Sequence, residues 1–87
     1  MAFRVPGGTI AQGQTIRSDG WSWDAGVDMG AQHFSCRPSL HDCRLVVSNQ
    51  TKMLVQDGSR VRWVYGFTVT NEGWAETYYE VEGGGFI

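Results

Sequence analysis

The sequence shows no helical periodicity and contains no long hydrophobic run. Twelve glycines are scattered along its 87 residues, and no window of a dozen residues carries an uninterrupted apolar stripe at 3.6-residue spacing. No run of 18 apolar residues occurs, so no segment is expected to cross a bilayer as a helix. These absences exclude a helical bundle and a helical membrane protein, and they leave a soluble β-rich chain as the expectation.

The chain also has little excess charge and few cysteines. Seven basic and nine acidic residues give a net charge of −2, which supplies no basic surface for nucleic acid or an anionic membrane. Two cysteines are too few for a disulfide-dense scaffold. Residues 1–10 hold no apolar stretch of signal-peptide length, so we expect a cytoplasmic protein, with secretion through a lost leader or another route left open.

Aromatic residues, in contrast, are plentiful: four Trp, four Phe and three Tyr. A chain of this length forms one domain and buries only about 60–65% of its unfolded surface, so its core is thin. Each buried aromatic side chain removes roughly 150–250 Å² from water and can anchor such a core. We therefore expect a single domain over 1–87, ending in a flexible tail at 83–85, with Phe86 and Ile87 docked on the domain or on a neighbour.

Alternation of apolar and polar residues is strongest in two C-terminal segments, 61–70 and 74–82. Every odd position of the first segment is apolar and the even positions are mostly polar, which is typical of a half-buried strand. The predicted inward residues are Val61, Trp63, Tyr65, Phe67 and Val69 in the first segment and Ala75, Thr77, Tyr79 and Val81 in the second.

We predict that these two segments pair as a hairpin through a three-residue turn at 71–73. A two-residue turn would set the apolar face of one strand beside the polar face of the other. The three-residue turn instead places Arg62 opposite Glu82 as an ion pair and lets Tyr78 cover Gly66.

Turn signals divide the remaining sequence into further short strands. A three-residue connection at 57–59 joins a strand at 52–56 to the segment that follows, and Asn49-Gln50 is read as an earlier turn. The other expected strands lie within 9–18 (broken near Gly13), 20–29, 32–35 and 44–48. Six or seven short strands favour an all-β, small antiparallel β-sandwich of immunoglobulin-like arrangement, with a small β-barrel as the alternative.

The outer face of the predicted hairpin is the candidate binding site. It carries two large aromatic residues beside charged ones: Trp74, Tyr78, Glu76, Glu80 and Arg62. Aromatic residues on a polar sheet face are expected to be covered by a ligand, by another chain or by the protein's own second layer.

These features predict a non-catalytic binding or assembly module that needs no cofactor. It would use the aromatic and acidic face or a strand edge, and its partner would be another protein or a second copy of the chain. The alternative is a carbohydrate-binding domain in which Trp74 and Tyr78 stack on sugar rings.

One set of residues has the ligand types of a metal site, in the pattern H-x2-C-x4-H-x-C. These residues are His33, Cys36, His41 and Cys43. The spacing matches none of the usual zinc patterns, so no metal is expected. The two cysteines lie seven positions apart, which leaves both a bridge and free thiols open.

A small hydrolase is the least favoured function. It would use a cysteine–histidine pair or the carboxylate row Glu76, Glu80 and Glu82. Residues two apart on one strand face lie roughly 6.6–7 Å apart, near the separation found in inverting glycosidases. A glutamate row on an open sheet face more often serves solvation and edge protection.

Overall fold

The computed structural model describes residues 2–23 and 26–85, which form six β-strands and no α-helix. The strands are β1 (Ala2–Ile10), β2 (Thr15–Trp21), β3 (Gln32–Pro38), β4 (Leu45–Asp57), β5 (Arg60–Asn71) and β6 (Thr77–Gly85). They make two antiparallel three-stranded sheets, ordered β1-β6-β3 and β2-β5-β4.

The two sheets pack against each other as a small β-sandwich, which confirms the all-β prediction. Its immunoglobulin-like part is not confirmed, because an immunoglobulin constant domain has sheets of four and three strands. Each sheet here has three.

The core lies between the central strands of the two sheets. Phe67 and Val69 of β5 are fully buried, and Tyr79 and Val81 of β6 are nearly so. Phe34 of β3 stacks on Phe67 across the sandwich, with 4.8 Å between ring centroids. Burying side chains of this size contributes about 1.5–3 kcal/mol each, so these contacts dominate the stability of the domain.

Aromatic rings close one end of the core. Trp23 lies beyond the end of β2, and its ring meets that of Tyr65 edge-on at 5.5 Å. Trp21 lies 6.0 Å from Phe67, and Phe3 lies 5.4 Å from Trp23. The two tryptophans are therefore partly buried and pack against the core.

The predicted hairpin between 61–70 and 74–82 is wrong. The first segment lies in β5, between β2 and β4, whereas the second lies mostly in β6, between β1 and β3. The two strands face each other across the core, so most of the predicted inward residues are buried without the strands being paired; these are Tyr65, Phe67, Val69, Thr77, Tyr79 and Val81. The prediction is wrong for Val61, which is 57% exposed, and Ala75 lies in the loop before β6. The alternation of apolar and polar residues indicates which face of a strand is buried, but it does not indicate which other strand pairs with that strand.

The contacts predicted from that hairpin change accordingly. The guanidinium of Arg62 pairs with Asp57 at 3.8 Å, and Glu82 pairs with Arg4 at 3.5 Å. Side chains of the β2-β5-β4 sheet, and not Tyr78, surround Gly66; they are Arg17, Asp19 and Thr51.

The connection between β4 and β5 is one residue shorter than predicted. Asp57 pairs with Arg60, which leaves a two-residue turn at 58–59. Gly58 has φ 65°, as expected for a hairpin turn with glycine at its first central position. The turn predicted at Asn49-Gln50 is instead a bulge inside β4, where the pairing register shifts between Ser48 and Thr51.

The glycines at 83–85 belong to β6 and do not form a tail. Gly83 pairs with Phe3 on one side and with Phe34 on the other. A side chain at Gly83 would meet the Phe3 ring at 2.8 Å, so the missing Cβ makes room for a core aromatic residue. The predicted docking of Phe86 and Ile87 lies outside the described residues.

The side chain of Asn71 stabilises the loop that connects β5 to β6. Its side-chain amide donates to the carbonyl oxygens of Ile10 at 3.1 Å and Ala75 at 2.9 Å. Its side-chain oxygen accepts from the Gly73 amide at 2.8 Å and from the Cys43 thiol at 3.5 Å. These bonds fix the loop 72–76, which carries the chain from one sheet to the other.

Candidate functional site

The outer face of the β1-β6-β3 sheet carries most of the predicted binding residues. Tyr78, Glu80 and Glu82 alternate along the central strand and point away from the core. The flanking strands supply cations, because Arg37 of β3 lies opposite Glu80 and Arg4 of β1 lies opposite Glu82. The acidic row is therefore interleaved with arginines.

A concave site of about 620 Å³ lies at the start of β6. We call it the Tyr78 groove. Its walls are mostly polar or charged, and its lining residues are Arg37, Pro38, Ser39, Leu40, His41, Asp42, Tyr78 and Glu80. Tyr78 is 46% exposed, so the phenol ring presents a large contact surface to a ligand.

Hydrogen bonds fix the loop that forms one wall of the Tyr78 groove. The Ser39 amide and hydroxyl both donate to the Tyr78 carbonyl oxygen, at 3.0 and 3.1 Å. The Leu40 amide donates to the Thr77 hydroxyl at 3.2 Å. Since the loop is tied to β6 at these points, the groove is formed before a ligand arrives, which lowers the entropic cost of binding.

Trp74 lies beside the Tyr78 groove and is joined to a residue of its wall by one hydrogen bond. It is 60% exposed and belongs to the loop before β6, not to a strand. The indole N–H donates to the carbonyl oxygen of His41 at 3.1 Å. The prediction that Trp74 shares a strand face with Tyr78 is therefore wrong, and Trp74 does not line the groove.

Arg62 and Glu76, like Trp74, do not lie where the hairpin placed them. Arg62 belongs to β5 in the opposite sheet, so its assignment to the same face as Tyr78 is wrong. That assignment followed from the hairpin register, and it failed with it. Glu76 is exposed in the loop before β6, outside the outer-face row of that strand.

Sequence reasoning missed three charged or titratable residues of the groove: Arg37, His41 and Asp42. Arg37 lies opposite Glu80 only because β3 pairs with β6. No local pattern reveals that pairing, since 43 positions separate the two residues. Asp42 adopts φ 58° in the structure, a left-handed conformation that aspartate tolerates better than most residues.

The histidines and cysteines do not form a metal site. All four lie within the described residues, where no group of three His, Cys, Asp or Glu is placed to hold a metal. Cys36 faces the core, whereas His33 is exposed on the same strand three positions earlier. Both cysteines are free and buried, so no bridge joins them.

Of the residues that the hydrolase hypothesis would use, Cys36 is buried in the core. Burial raises the pKa of Cys36 to about 11, with a further contribution from the Glu82 carboxylate, and a protonated thiol is a weak nucleophile. The outward carboxylates lie opposite arginines on an open face, as charges of a solvated surface do.

Comparison with protein-family models, with curated proteins and with solved structures gave no match. None of the described residues forms a helix long and apolar enough to cross a membrane. Function is therefore inferred from the geometry of this chain.

Proposed function

We propose that this chain is a non-catalytic binding module that recognises a segment of a partner protein in the Tyr78 groove. The observation that carries the proposal is a half-exposed tyrosine in a preformed concave site whose walls bear charges of both signs.

The lining of the groove suits a peptide. A tyrosine ring gives apolar contact and a hydroxyl at low conformational cost, which is why tyrosine is enriched at the centres of interfaces. Arg37 offers a planar donor set for a carboxylate or a backbone carbonyl. Glu80 and Asp42 offer acceptors for backbone amides or a basic side chain. Both carboxylates line the same groove as the arginine.

Selection of binding peptides from a random display library tests this proposal. Tyr78→Ala and Arg37→Ala should each weaken the selected peptides tenfold or more, because truncating a central anchor costs over 1–2 kcal/mol. Arg62→Ala is the matched control, since it removes an arginine from the opposite sheet and should leave affinity unchanged. Peptides that bind all three variants as tightly as the parent would contradict the proposal, as would a selection that yields none.

Carbohydrate is the second candidate ligand, favoured by the two exposed aromatic residues at and beside one polar groove. Sugars bind by stacking on aromatic faces while their hydroxyls bond to carboxylate and guanidinium groups. A glycan array should then give hits that Trp74→Ala abolishes and Trp74→Phe largely keeps. Near-UV circular dichroism checks that the fold is intact. An array without hits, or hits that are indifferent to Trp74→Ala and Tyr78→Ala, would remove this candidate.

A further inference from the structure

A projecting two-stranded arm distinguishes the second sheet. The pairing of β2 with β5 ends where Trp21 meets Tyr65, but β4 and β5 stay paired as far as Asp57 and Arg60. Residues 53–64 thus extend past the third strand of their sheet. A two-stranded ribbon is marginally stable on its own in water, so such an arm gains from a further partner.

The arm exposes apolar side chains near its free edge. Leu54 is 50% exposed and Met53 is similarly open, while Val61 on the neighbouring strand is 57% exposed. On the β5 side, Gly26 packs against Arg62 so closely that it leaves no space for a side chain. Among residues 2–23 and 26–85, no strand pairs with the other side of the arm, the outer edge of β4.

The usual protections of an edge strand are missing from this stretch. Natural edges carry lysine, proline or a bulge that blocks further pairing. The one lysine, Lys52, is held by other side chains of the chain. Its ammonium pairs with Asp28 at 2.6 Å and lies 4.7 Å above the Trp63 ring. The hydrogen bond that the Lys52 ammonium donates to the Asp28 carboxylate also raises the pKa of Lys52. The bulge in β4 falls between Ser48 and Thr51, before the exposed stretch begins.

The sequence of the edge is self-complementary about Leu54. Two copies of the edge can pair antiparallel about a twofold axis that is perpendicular to the sheet. In such a pair, odd-numbered residues lie opposite odd-numbered ones and even-numbered residues opposite even-numbered ones. One residue can then lie on the axis, directly opposite the same residue of the second copy. With Leu54 on the axis, Met53 faces Val55 of the second copy and Lys52 faces Gln56. Apolar residues then meet apolar ones, polar residues meet polar ones, and no like charges are directly opposed.

We propose that the outer edge of β4 is a self-association surface at which two copies of this chain pair antiparallel about Leu54. The product is a continuous six-stranded sheet in the order β2-β5-β4-β4-β5-β2. This surface lies on the sheet opposite the Tyr78 groove, so association and ligand binding can each fail without the other.

Sedimentation velocity on the full chain over a concentration series tests the association. The parent should show twice the mass of the chain at high concentration. Leu54→Lys should be monomeric throughout, because it sets two ammonium groups against each other on the axis. Val61→Lys is the matched control: it adds the same charge to an equally exposed residue of the arm off the edge, and it should still dimerise. Far-UV circular dichroism establishes that both variants fold.

A cysteine scan of the same positions tests the register. Residues directly opposite in an antiparallel pair have Cα atoms about 4.5–5.5 Å apart, within reach of a disulfide. Leu54→Cys should therefore give a covalent dimer on mild oxidation and Val61→Cys should not, with no background from the two buried native thiols. A parent that stays monomeric at its solubility limit overturns the proposal. So does a dimer that survives Leu54→Lys, or one that cross-links equally through both positions.

Discussion

Replacement of Asn71 by alanine should be one of the most destabilising single changes in this domain. The side chain is 1% exposed and bonds to four groups, two of which are carbonyl oxygens in different parts of the chain. Each buried polar group left without a partner costs about 1–3 kcal/mol. Loss of the bonds to Ile10, Ala75 and Gly73, with partial rescue by water, predicts a decrease of about 2–4 kcal/mol in the free energy of unfolding.

Urea unfolding followed by circular dichroism measures this loss directly. In thermal unfolding of a domain of this size, 1 kcal/mol lowers Tm by roughly 4–8 °C, so the expected decrease in Tm is about 8–32 °C. Gln12→Ala, an exposed change in the turn between β1 and β2, is the control and should shift stability by less than about 0.5 kcal/mol. An Asn71→Ala variant as stable as that control would refute the role assigned to this residue.

Two further predictions concern the core and the end of β6. Burial raises the pKa of Cys36 to about 11, so the folded state keeps this proton after the unfolded thiol, with its ordinary pKa of 9.0, has lost it. The free energy of unfolding should therefore decrease as the pH rises from about 9 toward 11, and Cys36→Ala should reduce this decrease. A Cys36→Ala variant with the same pH dependence as the parent would contradict the prediction. Gly83→Ala should cost about 1–3 kcal/mol in thermal unfolding, because the added methyl group meets the Phe3 ring and the His33 carbonyl oxygen. A flexible glycine tail would instead tolerate the change without loss.

Local patterns in the sequence were sufficient for the strand class and for much of the core. Alternation over 61–70 identified Tyr65, Phe67 and Val69 as buried, because a strand with one face on a core must repeat every second residue. Glycine next to aspartate marked the β4–β5 turn for a local reason too, the positive φ of Gly58.

Pairing between distant strands was beyond the same reasoning. Two strands that face each other across a sandwich show the same inward pattern as two strands side by side, so β5 and β6 fitted a hairpin that does not exist. The partners of β6 are β1 and β3, and no residue pattern within 77–85 specifies them. The first strand was missed because 2–10 contains Pro6 and two glycines and shows no clear alternation.

In the candidate site, too, local patterns predicted some features, whereas features that depend on the pairing of distant strands were not predicted. The exposure of Tyr78 was predicted from its phase in the strand pattern, and Tyr78 is exposed. Trp74 is exposed too, but as a residue of the loop before β6. Arg62 was assigned to this surface by the hairpin register, whereas Arg37 takes that place through β3–β6 pairing. Charged residues that reach a site from another strand are found only once the sheet order is known.

The Tyr78 groove exists only if β3 pairs with β6, and backbone nuclear Overhauser effects in solution test this pairing most directly. The sheet order predicts cross-strand contacts between Arg37 and Glu80 and between Arg4 and Glu82. Cross-strand backbone contacts between Tyr65 and Tyr79, with none between Arg37 and Glu80, would place β6 beside β5 and contradict both the fold and the groove.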